Sequence, residues 1–138
     1  MAIVTAEASD GAWALTVNSF VSISLTPRLV MWSLDHGSDR YAGFAGAPAW
    51  GVSILRDDQV ELSSRFAAHR AQPAEEHEIE RIASSPDGAP VLKACLARFD
   101  CRTRARHHVG DHLLLAGEVV AFEAHPGDAL TYFRGRYG

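Results

Sequence analysis

The sequence predicts a mainly β fold, an antiparallel barrel with a few small helices around it. Five or more segments have the alternation or the short apolar run of a β-strand, and most are joined by turn-forming residues. Two segments have the spacing of a short helix. The 138 residues, 47% of them apolar, suffice for one domain with its own core. They leave no room for a second domain of ordinary size.

The first elements form a predicted hairpin. A strand over Ala2 to Ala6 is followed by the turn signal Asp10-Gly11, and a long second strand covers Trp13 to Leu25. At the period of a strand this segment has a polar and an apolar face: Thr16, Asn18, Ser22 and Ser24 lie with Phe20, opposite Leu15, Val17, Val21, Ile23 and Leu25. We expect the apolar face to enter the core. The polar face either borders water at a sheet edge or offers hydrogen bonds to a ligand.

The middle of the chain continues with alternating strands and loops. Pro27 closes the second strand, and Leu29 to Leu34 is predicted as the next one. A polar loop over Asp35 to Arg40 and a short helix or turn over Tyr41 to Ala47 then precede a buried strand, Trp50 to Leu55.

The main predicted helix runs from Asp57 to about Arg70. Asp57 and Asp58 offer an N-cap, where an acceptor side chain suits the unpaired N–H groups. Leu62 and Phe66 lie four residues apart and therefore share the face toward the barrel.

The C-terminal half starts with the most polar stretch, Gln72 to Gly88. A short amphipathic helix carrying Ile79 and Ile82 is predicted there, in a variable excursion or lid. Three strands complete the barrel: one from Leu96 onward with Ala97, Phe99 and Cys101 opposite Arg98, Asp100 and Arg102, one over His112 to Phe122, and one over Ala129 to Arg134.

Composition excludes several classes of protein. The formal charge of −4 with interspersed signs does not indicate a nucleic-acid partner. No apolar run is long enough to span a membrane, and we expect a cytoplasmic protein. Cys95 and Cys101 fit neither a redox pair nor a zinc site and are predicted to be buried thiols. His107, His108 and His112 lack further ligands at convincing spacing, so no metal is expected.

Several short motifs recur in an order that resembles the flavin reductase family. They cover almost the whole chain: Thr16-Val17-Asn18-Ser19-Phe20, the loop around Ser38, Trp50 to Leu55, Leu62 to Ala67, Ala89 to Leu92, Cys101-Arg102, Gly110-Asp111-His112, Gly117-Glu118-Val119 and Tyr132 to Tyr137. The resemblance implies an antiparallel, Greek-key, FMN-binding split β-barrel that forms a homodimer. It also implies transfer of a hydride from NAD(P)H to FMN or FAD, with the reduced flavin passing to a separate monooxygenase. We expect a single domain over residues 1–138 that lacks the family's usual N-terminal extension.

The resemblance also implies site residues. Thr16, Val17, Asn18, Ser19 and Ser22 would line the flavin ring and ribityl chain, where hydroxyl and amide groups supply hydrogen bonds at little volume. The remaining cofactor-binding residues implied by position are Asp35, Ser38, Arg40, Phe66, Ala67, Tyr132 and Arg134.

Arg40, His112 and a stripe of arginines leave alternatives open. Ser38 would donate to the flavin phosphate, and Arg40, which replaces a common small hydroxyl residue, would either bind the phosphate or point into water. His112 would position flavin and nicotinamide, or else simply cap a strand end. The stripe of Arg102, Arg104 and Arg106 is either a solvated face or a site for a dinucleotide phosphate or a partner.

Two other functions remain compatible with the same fold. The first is a flavoprotein that retains FMN as an electron carrier or sensor and has no nicotinamide turnover. The second is a degenerate binding module without flavin. Flavin-dependent oxidation of NADH would distinguish the reductase from both.

Overall fold

A seven-stranded antiparallel sheet organises the chain, which the computed structural model describes over residues 1–138. The strands of this sheet are β1 (Ala2–Ala8), β2 (Gly11–Val17), β3 (Val21–Leu25), β4 (Arg28–Asp35), β5 (Ala49–Ile54), β8 (Ala97–Val109) and β9 (His112–Ala124). Their order is β2-β1-β5-β8-β9-β4-β3, so β1 lies beside β5 and β4 beside β9, as Greek-key connections require. The edge strands β2 and β3 do not pair with each other. The predicted mainly β, antiparallel fold with a few small helices is confirmed, and the sheet does not close into a full barrel.

The remaining elements are small and lie around the sheet. They are the helices α1 (Tyr41–Ala45) and α2 (Val60–Ala67), a 3₁₀ turn (Glu76–Glu78), and two short hairpins, β6 (Ile79–Glu80) with β7 (Val91–Leu92) and β10 (Tyr132–Phe133) with β11 (Arg136–Tyr137). No helix is long and apolar enough to cross a membrane.

The predicted hairpin at Asp10-Gly11 is confirmed. β1 and β2 pair from Ala2 with Val17 to Ala8 with Gly11. Gly11 has a φ of 112°, and a Cβ at this position would lie 2.0 Å from the carbonyl oxygen of Ala74. Only glycine fits both the backbone conformation and the close approach.

The single long strand predicted over Trp13 to Leu25 is wrong. The chain leaves β2 after Val17 and reaches the opposite edge of the sheet, where β3 pairs with β4. The predicted burial of the apolar face also fails in β3, because Val21, Ile23 and Leu25 are exposed. A period of two reports which residues share a face, but not whether a neighbouring element covers that face.

Tryptophan side chains form the centre of the main core. Trp32 of β4 meets Phe44 of α1 edge-on at 5.4 Å and Trp50 of β5 at 5.9 Å between ring centroids. All three side chains are fully buried. A second core cluster, which includes Phe66, packs α2 against β1 and β2.

The short helix or turn predicted over Tyr41 to Ala47 is the helix α1, whereas α2 is shorter than predicted. Gln59 precedes its first residue, accepting the Arg56 N–H at 2.8 Å and donating to the Ala94 carbonyl at 2.8 Å. Asp57 and Asp58 therefore do not form the N-cap. α2 ends at Ala67 instead of continuing to Arg70.

The predicted amphipathic helix at Ile79 and Ile82 is also wrong. Both side chains are buried, but Ile79 belongs to β6, which pairs with β7, and Ile82 follows in a turn. The last predicted strand, Ala129 to Arg134, is the small β10–β11 hairpin, preceded by an isolated bridge at Ala129. Local spacing identified the inward-facing residues but not the long-range pairing.

Two charged residues of β8 are buried. Arg98 donates to Glu123 at 3.0 Å and to the Leu92 carbonyl at 3.1 Å, and it forms an ion pair with Glu80. Asp100 is fully buried. Arg98 therefore holds the β6–β7 hairpin against the sheet.

The two cysteines are free and buried, as predicted. Burial raises the pKa of both the Cys95 and the Cys101 thiol. Both sulfur atoms therefore stay protonated at neutral pH and are poor nucleophiles.

Candidate functional site

A cleft of about 220 Å³ lies where the end of β2, the start of β9 and the turn after β4 meet. Its lining contains seven of the residues predicted from the sequence, Thr16, Val17, Asn18, Ser19, Asp35, Ser38 and His112, together with Leu15 and Ser33. Pairing of Asp35 with His112 brings the turn beside β9. The Ser33 N–H donates to the Ser19 hydroxyl oxygen at 3.0 Å and joins the end of β2 to β4.

The polar side chains of β2 differ in their availability to a ligand. The Thr16 hydroxyl donates to the Ser63 carbonyl of α2 at 2.6 Å and is therefore engaged within the protein. The Ser19 oxygen accepts one backbone N–H, so its own hydrogen remains available as a donor. Asn18 is exposed at the rim and carries both a donor and an acceptor. The end of β2 thus offers hydrogen bonds without bulk.

The turn from Asp35 to Arg40 is held by its own hydrogen bonds. The Asp35 carboxylate accepts the Gly37 N–H at 2.8 Å, and its backbone carbonyl accepts the Ser38 N–H at 3.0 Å. The Ser38 hydroxyl oxygen accepts the Arg40 N–H at 3.2 Å and retains a hydrogen to donate. This turn presents the Ser38 hydroxyl in a defined position directly before α1.

His112 is held by its neighbour. Its Nδ1 lies 2.7 Å from the carboxylate of Asp111, which can only accept, so Nδ1 carries the hydrogen and Nε2 is left for other contacts. This hydrogen bond holds the pKa of the Asp111 carboxyl below its usual range. The His112 side chain is 40% exposed and lines the cleft. An imidazole in this place can position a ligand or balance charge beside it.

The structure differs from both orientations expected of Arg40. Its side chain is 5% exposed, and its guanidinium donates to backbone carbonyls of Ala14, Phe66 and Ala68. It therefore points neither into water nor into the cleft.

Several other predicted site residues lie outside the cleft. Ser22 of β3 lines a separate, mostly apolar cleft of about 370 Å³. Phe66 is fully buried in the core beneath α2, and Ala67 beside it is exposed. Tyr132 and Arg134 are exposed on the β10–β11 hairpin. The structure brings none of them together with His112, and their cofactor role stays a prediction.

The β10–β11 hairpin is nevertheless connected to the cleft. The Tyr137 hydroxyl lies 2.9 Å from the Ser63 hydroxyl, and the carbonyl of Ser63 accepts the hydrogen of Thr16. Two hydrogen bonds through one residue of α2 thus link the C-terminal hairpin to the wall formed by β2.

Sequence reasoning missed Ser33 as a lining residue. In the strand Leu29 to Leu34, Val30, Trp32 and Leu34 are buried, and Ser33 shares its face with Asp35. A single hydroxyl residue in an otherwise apolar strand, in phase with an acidic residue at its end, is the signal that would have found it.

The arginine stripe of β8 is engaged within the protein. Arg102 forms an ion pair with Asp100 at 2.7 Å, and Arg104 one with Glu118 at 2.8 Å. Arg106 donates to the carbonyls of residues 45 and 47 beside α1. These contacts account for all three side chains without a dinucleotide phosphate.

Comparisons with known proteins agree on one family. The model of the flavin reductase like domain matches residues 1–138. The FMN reductase (NADH) SmoA of Agrobacterium fabrum is 39% identical over 137 residues, 99% of this chain and 76% of that protein. The flavin reductase of styrene monooxygenase (SMOB) from Pseudomonas putida S12 has a TM-score of 0.86 and 31% identity, covering 99% of this chain and 87% of the other. The NADH:FAD oxidoreductase SgcE6 of Streptomyces globisporus C-1027, solved with NAD and FAD fragments, has a TM-score of 0.87 and 25% identity, covering 99% and 82%.

Proposed function

The chain belongs to the flavin reductase like domain family, and from that premise we propose that it is an NAD(P)H-dependent flavin reductase. It binds FMN or FAD, takes hydride from the nicotinamide nucleotide and supplies reduced flavin to a separate monooxygenase. The observation that carries this proposal is the cleft in which seven predicted site residues meet. NADH is the first donor to test, because similar proteins are named for it.

The donor set of the cleft fits a flavin. FMN has carbonyl oxygens and ring nitrogens along one edge of its ring, a chain of hydroxyl groups and a terminal phosphate. The Asn18 amide and the Ser19 hydroxyl suit the polar edge of the ring, and the Asp35 carboxylate suits hydroxyl donors. The Ser38 hydroxyl lies on a turn held by hydrogen bonds and retains a hydrogen to donate to the phosphate. No lysine or arginine side chain lines this cleft, so hydroxyl and amide groups carry the recognition.

The residues act by holding and orienting rather than by covalent chemistry. When bound, the flavin supplies the ring that accepts hydride from the nicotinamide. Asn18 and Ser19 would hold that ring against β2, and Ser38 would hold the phosphate end. His112, fixed by Asp111, keeps its Nε2 free to position the nicotinamide or to place positive charge beside the cleft when protonated. Orientation of the two reactants is the main contribution the protein makes.

A homodimer is part of this proposal. The cleft is smaller than the ~300–1,000 Å³ that ligand pockets commonly occupy, so a second subunit would complete it. The β3 face, defined here as Leu25, Phe99 and Phe122 of one mostly apolar cleft, exposes large apolar side chains, with Leu25 83% and Phe122 54% exposed. β3 is also an edge strand with unpaired backbone groups. An apolar face at a sheet edge supports contact with a second copy.

One pair of measurements tests the function. Purified protein is titrated with FMN and with FAD by fluorescence quenching, and oxidation of NADH and of NADPH is then followed with each flavin. We expect saturable flavin binding and oxidation that depends on added flavin. Retention of flavin through dialysis without turnover would support the electron-carrier alternative, and absence of flavin binding would refute the proposal.

A cytoplasmic location, with its supply of reduced nicotinamide, remains part of the prediction.

A further inference from the structure

The buried guanidinium of Arg40 joins three separate parts of the chain. Its Nη1 donates to the carbonyls of Ala14 and Phe66, both at 2.9 Å, and its Nη2 donates to the carbonyl of Ala68 at 2.7 Å. Its Nε donates to Asp39 at 3.2 Å. The N–H groups of the guanidinium thus donate to carbonyl and carboxylate oxygens of the protein itself.

These contacts connect the two walls of the cleft. The Arg40 backbone N–H donates to the Ser38 hydroxyl oxygen in the turn, and its side chain reaches Ala14, two residues before Thr16 of the β2 wall. The third anchor is the C-terminal end of α2, where unpaired carbonyls favour a cation. Arg40 is therefore the physical link between the turn, β2 and α2.

A second set of bonds locks the same turn from outside. The Asp39 carboxylate, which is paired with Arg40, accepts the N–H of Arg70 and lies 4.0 Å from Nδ1 of His69. The chain just beyond α2 is thereby tied to the turn. Movement of the turn relative to β2 would break several of these bonds together.

Direct binding of a phosphate by Arg40 is not compatible with this geometry. The guanidinium does not line the cleft, and turning it toward a ligand would leave buried carbonyl oxygens without a donor. We propose that Arg40 is a positioning residue that fixes the Ser38 turn relative to β2 and so sets the affinity for flavins that carry a phosphate. This inference rests on the proposed function.

The proposal predicts a selective effect on ligands that span both walls. FMN has a ring and ribityl chain for β2 and a phosphate for the turn, whereas riboflavin lacks the phosphate. In Arg40→Met, the Kd for FMN should rise about tenfold or more, as misplacement of a binding group by about 1 Å can cost that much. The Kd for riboflavin should change less than about twofold, because its contacts lie on β2 and on Asp35, which is held in β4 by its pairing with His112, and riboflavin places no group at Ser38. A purely structural role would weaken both ligands alike.

Arg106 provides a matched control. It also donates to two backbone carbonyls, of Ala45 at 2.7 Å and Ala47 at 2.9 Å, but at the far end of α1 and not between the cleft walls. Arg106→Met should leave the ratio of FMN to riboflavin affinity unchanged. Arg40→Lys keeps the charge but cannot form the fork to three carbonyls, so its ratio should lie between those of wild type and Arg40→Met.

The measurement is a fluorescence titration of all four proteins with FMN and riboflavin, after circular dichroism has established that each variant is folded. Equal loss of both ligands in Arg40→Met, or a ratio unchanged from wild type, would overturn the positioning role. If Arg40→Met does not fold, the test rests on Arg40→Lys. A ratio of FMN to riboflavin affinity in Arg40→Lys equal to that of wild type would then overturn the positioning role of Arg40. Failure of the wild-type protein to bind any flavin would instead refute the proposed function.

Discussion

Substitution of Asp100 tests how the segment before β7 is held against the sheet. The Asp100 carboxylate is fully buried. Its Oδ2 accepts the Ser85 hydroxyl at 2.5 Å, and its Oδ1 accepts the Ala89 N–H at 3.0 Å and the Arg102 guanidinium at 2.7 Å. A Cβ on Gly88 would lie 2.1 Å from Oδ2, so the segment packs directly on the carboxylate.

Asparagine and alanine should differ in their cost. An asparagine amide nitrogen can take the place of Oδ2, because the Ser85 hydroxyl can rotate to accept, whereas the Ala89 N–H and Arg102 only donate. Asp100→Asn therefore keeps three hydrogen bonds but loses the negative charge that strengthens them. We expect the free energy of unfolding to fall by about 1–2 kcal/mol. Asp100→Ala removes one partner of a buried ionic cluster, which costs about 3–5 kcal/mol. We expect about 3 kcal/mol, since the Arg102 side chain is 34% exposed and water replaces part of its loss.

Urea unfolding at pH 7, followed by tryptophan fluorescence, measures these differences. Thermal unfolding gives a second readout: for a chain of this size each kcal/mol corresponds to about 4 °C in Tm, so the Tm of Asp100→Ala should lie about 12 °C below that of wild type. The rate of amide hydrogen exchange at Ala89 should rise from wild type to Asp100→Asn and again to Asp100→Ala. Asp87→Ala, an exposed aspartate in the same segment, should change neither quantity. Equal stabilities of Asp100→Asn and Asp100→Ala would refute the argument from donors and acceptors.

Three further outcomes follow from the site, the β3 face and a surface ion pair. His112→Ala should slow flavin-dependent NADH oxidation, measured as kcat by stopped-flow absorbance, while the flavin Kd stays within about twofold, because positioning and not affinity is lost. Wild type should sediment as the proposed dimer and Leu25→Glu as a monomer in analytical ultracentrifugation, because a charge would be buried in the proposed interface. Glu78→Gln should lower the free energy of unfolding by up to about 1 kcal/mol at pH 7. The hydrogen bond from Arg65 holds the pKa of the Glu78 carboxyl below its usual value, so this contribution is present above about pH 4.3 and is lost as the pH falls through the folded-state pKa.

Each of these substitutions has a control of the same chemistry. His125→Ala removes an exposed histidine outside the cleft, Val60→Glu adds a charge at an exposed position of α2, and Glu76→Gln neutralises an exposed glutamate two residues from Glu78. Unchanged turnover in His112→Ala would remove this residue from the site. Dimers that survive Leu25→Glu, or dissociate equally in Val60→Glu, would contradict the proposed interface. A difference between wild type and Glu78→Gln that persists at pH 2 would contradict the ionic origin of the effect.

Local pattern was sufficient for most of the strands. The turn at Asp10-Gly11, the buried strand near Trp50 and the strand beginning at His112 were all predicted, because alternation and turn residues report conformations that depend on neighbours in sequence. Much of the candidate cleft was predicted too, because its residues cluster in two short motifs, Thr16 to Ser19 and Asp35 to Ser38. That clustering made the family resemblance visible before the fold was known.

Long-range contacts decided what the sequence pattern left open. Trp13 to Leu25 alternates at all but a few positions, yet the chain crosses between opposite edges of the sheet, since strand pairing depends on residues far away in sequence. The helix predicted from Asp57 begins only after Gln59, whose side chain bonds both Arg56 and Ala94. Such partners cannot be identified from a local window.

Arg40 shows, at a single residue, the difference between what local sequence predicts and what long-range contacts decide. Its position in the motif indicated a phosphate contact or a solvated side chain, and both readings considered only the loop in which it lies. Its actual acceptors are carbonyls of residues 14, 66 and 68, which the fold alone brings together. Residue types and their spacing therefore determined the fold class and the chemistry of the cleft. The tertiary structure decided which charged groups are buried and what they hold, because burial and hydrogen-bond partners are properties of the packed chain.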